Sequence, residues 1–124
     1  FLFIDKNSKL FIMFKPENDN GFIEYKRDLI NMNKNKIEKY ASQMRYRVAE
    51  GEGLAYYLIG IDDNGEIYGI KSYNKTILNL QKIVHIAKCS IKQITKYYYR
   101  NKTFLFCEIK AEFDIQDLFV TLKL

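Results

Sequence analysis

Residues 24–70 decide the fold, and they read EYKRDLINMNKNKIEKYASQMRYRVAEGEGLAYYLIGIDDNGEIYGI. From Asn33 to about Glu50 the apolar side chains recur every three or four residues. This spacing predicts an amphipathic helix that is capped by Asn33 and ended by Gly51. The helix would be about 26 Å long, enough to cross a small sheet. Its apolar stripe consists of Ile37, Tyr40, Ala41, Met44 and Val48.

A β-hairpin is predicted directly after this helix. The two apolar stretches 54–61 and 66–70 are separated by Asp62-Asp63-Asn64-Gly65. The Asn-Gly pair is typical of a tight hairpin turn in which both residues have positive φ. Gly60 and Gly69 are expected where the hairpin strands approach another backbone closely.

Working outward from this stretch, the remaining chain alternates between strands and one more helix. Strands are predicted over 9–15, 22–28, 91–100 and 103–110, and a helix runs from a Ser72 cap to about Cys89. The tail 118–124 alternates weakly, which is compatible with one further strand. This order predicts one α+β domain over residues 1–124. We expect two layers, with two helices covering one face of a mostly antiparallel or mixed sheet.

The bulk composition fits an ordered domain of 124 residues, because 48% of the residues are hydrophobic and 28% are charged. The net charge of +5 is compatible with RNA, ribosomal or acidic protein partners, and equally with plain solubility. No apolar run approaches the roughly 20 residues of a membrane helix, so no membrane partner is expected. Cys89 and Cys107 lie in unlike contexts, which favours reduced thiols in a cytoplasmic protein. A disulfide between them is the alternative.

Several kinds of catalytic site have no motif in this sequence. It contains neither GxxxxGK[ST] nor GxGxxG, so neither common phosphate loop is predicted. Gly51-Glu52-Gly53 follows a helix and precedes a strand, which is the wrong order for a phosphate cradle. His85 is accompanied by no nucleophile motif, and one histidine with two cysteines does not make a zinc site.

Three acidic residues lie where predicted strands begin or end, namely Asp19, Glu24 and Asp62. If they converged, their oxygens could bind Mg²⁺ or Mn²⁺, and the ion could activate water against a phosphodiester. The alternative is that Asp62 and Asp19 only shape a turn and a loop. We favour that alternative, and we expect no metal site and no catalytic residue.

Basic and aromatic side chains are concentrated near the end of the sequence. They are Lys92, Lys96, Tyr97, Tyr98, Tyr99, Arg100 and Lys102. Strand alternation puts Tyr97 and Tyr99 on one face, where they could stack bases while the lysines contact phosphates. In the alternative, one tyrosine face packs under the helices and the lysines solubilise an edge strand. Arg45 and Arg47 fall outside the apolar helical stripe and would extend an RNA-binding surface.

The middle of the chain resembles the N-terminal region of the GTP-binding protein one and two family of translational GTPases, relatives of elongation factor one alpha. The resemblance covers about residues 21–110. The matching residues are Glu24-Tyr25-Lys26, Gln43-Met44, Arg47, Glu50-Gly51-Glu52-Gly53, Ala55, Tyr57, Ile59-Gly60, Asp63, Gly65 and Gly69. The closing LFVTLKL looks like the approach to the first strand of a downstream GTPase domain. The resemblance implies that the parent chain binds GTP and Mg²⁺, and that residues 1–124 hold no cofactor.

The hairpin preceded by Glu24-Tyr25-Lys26 also looks like the AlbA-type domain of Schlafen proteins, some of which cut tRNA or rRNA with three carboxylates and a metal. That resemblance would place the carboxylates at Asp19, Glu24 and Asp62. The chain departs from the Schlafen pattern, because its first acid is Asp rather than Glu and its helix ends in QMRYRVAEGEG. We therefore expect an accessory domain that docks to RNA, a ribosome or the downstream GTPase domain. A Schlafen-type ribonuclease is the alternative.

Overall fold

The computed structural model describes residues 2–4 and 10–114, and for 2–4 and 10–12 it describes the backbone alone. Strands β1 (Leu2–Ile4) and β2 (Leu10–Ile12) pair in an antiparallel ribbon. Four further strands form the main sheet: β3 (Ile23–Lys26), β4 (Leu54–Ile59), β5 (Cys89–Tyr99) and β6 (Lys102–Ala111). The helices are α1 (Lys34–Glu50) and α2 (Tyr73–Ala87).

The main sheet is mixed, with the strand order β3-β4-β6-β5. Strand β3 is parallel to β4, and α1 makes the crossover between them; the other neighbours are antiparallel. Both helices lie on one face of this sheet, which confirms the predicted α+β class. The described residues contain no helix long and apolar enough to cross a membrane.

Both helices begin at the caps that the sequence predicts. The Asn33 side chain accepts a hydrogen bond from the Lys36 amide at 2.8 Å, and Ser72 accepts one from the Lys75 amide at 3.3 Å. These caps satisfy amide groups that have no partner inside the helix. Helix α2 ends before the predicted Cys89, because Lys88 adopts a left-handed conformation with φ of 56°.

The hydrophobic core lies between the helices and the sheet. The side chains of α1 and α2 meet alternate residues of the two central strands and of β5. Cys89 and Cys107 are both buried, free thiols, as expected for a reduced chain. The largest fully buried members are Leu29, Met44, Val48, Tyr57, Ile59, Leu80, Ile83, Leu105, Cys107 and Ile109.

The predicted hairpin over 54–70 is wrong in its second half. The segment 66–70 forms no strand and makes one isolated bridge, between Ile61 and Ile67. Its amides at Tyr68 and Gly69 both donate to the Gly60 carbonyl, and the Ile70 amide donates to Thr103 in β6. The segment therefore crosses toward β6 instead of running beside β4.

The turn in this segment also differs from the prediction. Only Gly65 of the Asn-Gly pair has a positive φ, at 93°, and its amide bonds to the Asp62 carbonyl at 2.8 Å. The close approaches predicted for two other glycines are confirmed. A Cβ at Gly60 would lie 3.1 Å from the Phe104 Cβ, and one at Gly69 would lie 3.1 Å from the Lys102 Cβ.

The remaining strand predictions hold with shifted ends. The predicted strand 9–15 is observed only as β2, because the chain then leaves the ribbon and crosses the turn at Gly65. The predicted strand 22–28 is observed only as β3. The strand β1 was not predicted. Predicted strands 91–100 and 103–110 correspond to β5 and β6. The predicted strand over 118–124 lies outside the described residues.

Candidate functional site

Arg47 forms a buried polar centre between α1 and β3. Its side chain is on the helix face that meets β3, and the residue is 3% exposed. Nε donates to Glu24 Oε1 at 3.1 Å, and a terminal nitrogen donates to the carbonyls of Asn20 and Gly21 at 3.0 Å. The other terminal nitrogen donates to the Asn18 carbonyl at 3.0 Å. Arg47 therefore ties the loop before β3 to the helix.

The prediction that Arg47 lies on the side of α1 away from the core is wrong. Its guanidinium is neutralised by carboxylates and saturated by loop carbonyls, which is how a cation is tolerated inside a protein. Arg45 is half-buried, donates to the Ala87 carbonyl at 3.1 Å and lies 4.2 Å from the Phe113 ring centre. Arg47 is thus occupied within the fold, and Arg45 is engaged at the end of α2.

Two carboxyl groups share this buried centre. Glu24 is 6% exposed and lies 3.6 Å from Lys26 Nζ, and Glu17 lies 3.8 Å from the Arg47 guanidinium. Burial and the adjacent Glu24 raise the pKa of Glu17 to about 7. Burial also acts to raise the pKa of Glu24, but its hydrogen bond with Glu17 and the charges of Lys26 and Arg47 outweigh it and lower that pKa. Below the raised pKa of Glu17 the two carboxyls therefore hold one proton between them.

The three acids predicted as an alternative metal site are divided between two cavities. Asp19 and Glu24 line a cavity of about 270 Å³ together with Lys26 and Arg47. Asp62 lines a neighbouring cavity of about 530 Å³, and its carboxylate lies 3.7 Å from Arg27 Nε. Among the residues from 13 to 114 no group of three or more His, Cys, Asp or Glu side chains is arranged to hold a metal ion.

The sheet face opposite α1 and α2 carries aromatic side chains, and no described helix packs on it; we call it the helix-free face. Strand alternation and register place Tyr56, Leu58, Tyr97, Phe104 and Phe106 on this face. Tyr97 stacks on Phe104 with ring centres 5.4 Å apart. Tyr99 packs against the smaller hydrophobic cluster on the same side.

The predicted grouping of Tyr97 with Tyr99 is therefore confirmed. The alternative, in which one tyrosine face of β5 packs under the helices, does not hold at this end of the sheet. Tyr98 lies on the helix side of the sheet, yet it is 73% exposed. The sequence did not identify Phe22, Tyr56 and Phe106 as part of the surface. Residues 54–59 form a continuous apolar run, so no alternation distinguished the two faces of β4.

The predicted basic residues do not form one patch. Lys102 begins β6 on the helix-free face and donates to the Ile67 carbonyl at 3.2 Å, and Arg100 lies 5.2 Å from the Tyr99 ring centre. Lys96 points to the other side, where its Nζ is 4.1 Å from the Tyr73 ring centre. Lys92 lies at the opposite end of β5 and lines a cavity of about 930 Å³ together with Lys110.

The described residues do not fit a nucleotide phosphate group. The connection from β3 to α1, residues 27–33, contains no glycine. The connection from β4 to α2, residues 60–72, contains three glycines but no GK[ST] sequence before the helix. Neither helix N-terminus therefore follows the phosphate loop that GTP binding of the common type requires.

Comparison with known proteins links part of this chain to a GTP-binding protein. Over 55 residues it is 44% identical to GTP-binding protein 2 of Mus musculus and of Homo sapiens, which covers 44% of this chain and 9% of each relative. It is also 44% identical over 95 residues to an uncharacterized protein of Acanthamoeba polyphaga mimivirus, which covers 73% of this chain.

The chain spans half the length of the mimivirus relative and a small part of GTP-binding protein 2. No family model matches the chain, and no solved structure matches it. The partial match agrees with the resemblance to GTP-binding proteins. None of these three relatives is named as a Schlafen protein, so the Schlafen resemblance has no support from them.

Proposed function

We propose that this chain is an accessory domain of a GTP-binding, elongation-factor-like protein and that it docks that protein to RNA. The partial identity to GTP-binding protein 2 supports the first half of this proposal. Since the sequence contains no phosphate-loop motif, the proposal puts GTP and Mg²⁺ in another part of the parent protein. The domain would act in the cytoplasm, either on free RNA or on RNA within a ribosome.

The observation that carries the RNA half is the helix-free face. It presents Tyr56, Phe106 and Tyr97 on one surface, and it has cationic residues at each end, Lys102 at one and Lys110 at the other. Aromatic rings bordered by cations are the features with which proteins bind RNA. The downstream GTPase domain is a second partner that the same domain would contact.

The ribonuclease alternative is less well supported by the geometry. Glu24 is paired with Arg47 and Lys26, and Asp62 lies in another cavity beside Arg27. The Arg47 guanidinium, which cannot bind a metal ion, lies beside Glu24 at the position where the metal ion of a nuclease would have to bind. We therefore assign Asp19 and Glu24 to the structure of the loop before β3 and its contact with α1, and Asp62 to the turn after β4.

Fluorescence polarisation with labelled RNA, measured from about 50 to about 300 mM salt, tests the RNA half. One variant replaces four cationic residues at or beside the two ends of the helix-free face, as Lys92→Gln, Lys110→Gln, Arg100→Asn and Lys102→Gln. Asn is used at position 100 because Arg100 has a φ of 49°. Four exposed lysines on the helices give the matched control, as Lys34→Gln, Lys39→Gln, Lys75→Gln and Lys82→Gln.

We expect the first variant to bind RNA at least about tenfold more weakly and with a shallower dependence on salt, because fewer counterions are released. The control removes the same charge and is expected to change affinity by less than about threefold. Equal losses in both variants would show that only net charge matters. If the unaltered chain binds no RNA at low salt, the RNA half of the proposal is wrong.

A further inference from the structure

A row of aromatic rings lies on the helix-free face from one edge of the sheet to the other, in two groups that meet on β6. The ring centres of Phe22 and Tyr56 are 5.5 Å apart, and those of Tyr56 and Phe106 are 5.1 Å apart. Phe104 continues the row along β6, and Tyr97 stacks on it at the β5 edge. Four strands spaced by about 4.8 Å give the row an extent of about 15 Å across the sheet.

Four of these rings are accessible, whereas Phe104 is buried, and the rings are held in place by one another. Phe22 is 39% exposed and Tyr97 is 46% exposed, while Tyr56 and Phe106 between them are half-buried. Beside the row lies an apolar groove of about 230 Å³ lined by Phe14, Leu58, Tyr97, Phe104 and Phe106. Rings that are packed before a ligand arrives lose little entropy when it binds.

Charged groups stand at the ends of this face. Lys102 and Lys110 are the first and ninth residues of the β6 stretch that crosses it, so they are about 26 Å apart. Glu108 is the charged group near the middle, opposite Tyr56 in the register, and it disfavours a phosphate at that point. A ligand with apolar flat groups over the rings and negative charge near the lysines satisfies this arrangement.

We propose that the row formed by Phe22, Tyr56, Phe106 and Tyr97 stacks unpaired bases of single-stranded RNA. The inference rests on the proposed function and specifies its RNA partner. An RNA strand can turn its bases toward the rings and its phosphates toward the two lysines, whereas bases inside a duplex are not available for stacking. The separation of about 26 Å between the lysines fits a footprint of several nucleotides.

The decisive variant combines Tyr56→Leu with Phe106→Leu, which keeps the surface apolar and removes two stacking rings. Tyr98→Leu is the matched control, since Tyr98 is exposed on the other side of β5. A labelled ten-nucleotide oligouridine and a ten-base-pair RNA duplex are the two probes. Binding is measured by fluorescence polarisation at several salt concentrations.

We expect the unaltered chain to bind oligouridine more tightly than the duplex. The double variant should bind oligouridine about tenfold or more weakly, because each stacked base contributes strongly to affinity. Its duplex binding and salt dependence should stay unchanged, since the lysines are intact. The Tyr98→Leu control should stay within about twofold for both probes.

The failures of the two proposals are distinguishable. If the duplex binds as tightly as the single strand and the double variant changes neither, stacking is wrong and the proposed function stands. If neither probe binds, both proposals are wrong. If the double variant unfolds, Tyr97→Leu at the sheet edge replaces it, with the same loss expected. Self-association through this face, detected by sedimentation and abolished by the double variant, would overturn the RNA assignment in favour of a protein partner.

Discussion

At the scale of single residues, Gly65 shows how the turn before α2 holds the N-terminal loop. Its φ is 93°, and a Cβ at this position would lie 1.9 Å from the Phe14 carbonyl oxygen. The Phe14 amide donates to the Gly65 carbonyl at 2.8 Å, and the Glu17 amide donates to Asp63. Glycine is therefore required for both its backbone conformation and its lack of a side chain.

We predict that Gly65→Ala lowers the free energy of unfolding by about 3 kcal/mol or more, since a left-handed alanine and a backbone clash both add cost. Gly21→Ala is the control, because Gly21 has φ of 89° and a Cβ added there would meet no atom within 4 Å. It should cost about 1 kcal/mol. Urea unfolding of both variants measures the difference. Equal losses would mean that the contact with Phe14 contributes nothing.

Glu17 is the residue whose ionisation should make stability depend on pH. Its pKa rises from 4.5 to about 7 on folding, through burial and contact with Glu24. The folded state thus holds this proton more tightly than the unfolded state. The stability that protonated Glu17 contributes to the folded state is fully present below pH 4.5 and is lost as pH rises through about 7.

We therefore expect Glu17→Gln to gain stability relative to the unaltered chain as pH rises from about 5 to about 8, because glutamine does not ionise. The charged groups that face Glu17, which are Glu24, Lys26, Arg47 and Asp63, remain in both proteins and largely cancel in the difference. Thermal unfolding at each pH gives the comparison, and Glu38→Gln on the exposed side of α1 is the control. Parallel pH profiles for Glu17→Gln and the unaltered chain would contradict this assignment.

At the scale of helices and strands, local sequence signals predicted the elements that depend on local chemistry. Both helix caps and the alternation of β5 were predicted because capping and strand periodicity act over a few residues. The segment 66–70 was predicted wrongly for the opposite reason. Its hydrogen bonds go to Gly60 and Thr103, and the partner in β6 is far away in the sequence.

The same distinction explains which site residues could be predicted. Arg47 lies beside the apolar stripe of α1, and only the distant loop carbonyls at 18, 20 and 21 make its burial favourable. Glu17 carries no periodic signal, so its contact with Glu24 could not be anticipated. Tyr97 and Tyr99 were grouped correctly, since alternation within one strand is sufficient for that.

At the scale of the whole molecule, the parallel pairing of β3 with β4 places the buried polar centre and the helix-free face on opposite sides of the sheet. Glu24 and Tyr57 are register partners and point to the helix side, while Ile23 and Tyr56 point to the other side. The polar centre can therefore hold the fold together without contributing to the aromatic surface.

A comparison of two charge changes separates net charge from charge position. Glu108→Gln and Glu38→Gln each raise the net charge from +5 to +6, but Glu108 lies among the rings of the helix-free face and Glu38 lies on the exposed side of α1.

If RNA lies across that face, Glu108→Gln removes a repulsion next to the RNA strand. We expect it to raise affinity for oligouridine about two- to fivefold, by the Coulomb energy of one nearby charge in a partly solvated site. Glu38→Gln should change affinity by less than half as much, as measured by fluorescence polarisation at about 100 mM salt. Identical gains in affinity for the two variants would show that RNA binding responds to the net charge alone. If Glu108→Gln gives no gain in affinity, the RNA strand does not lie across the helix-free face.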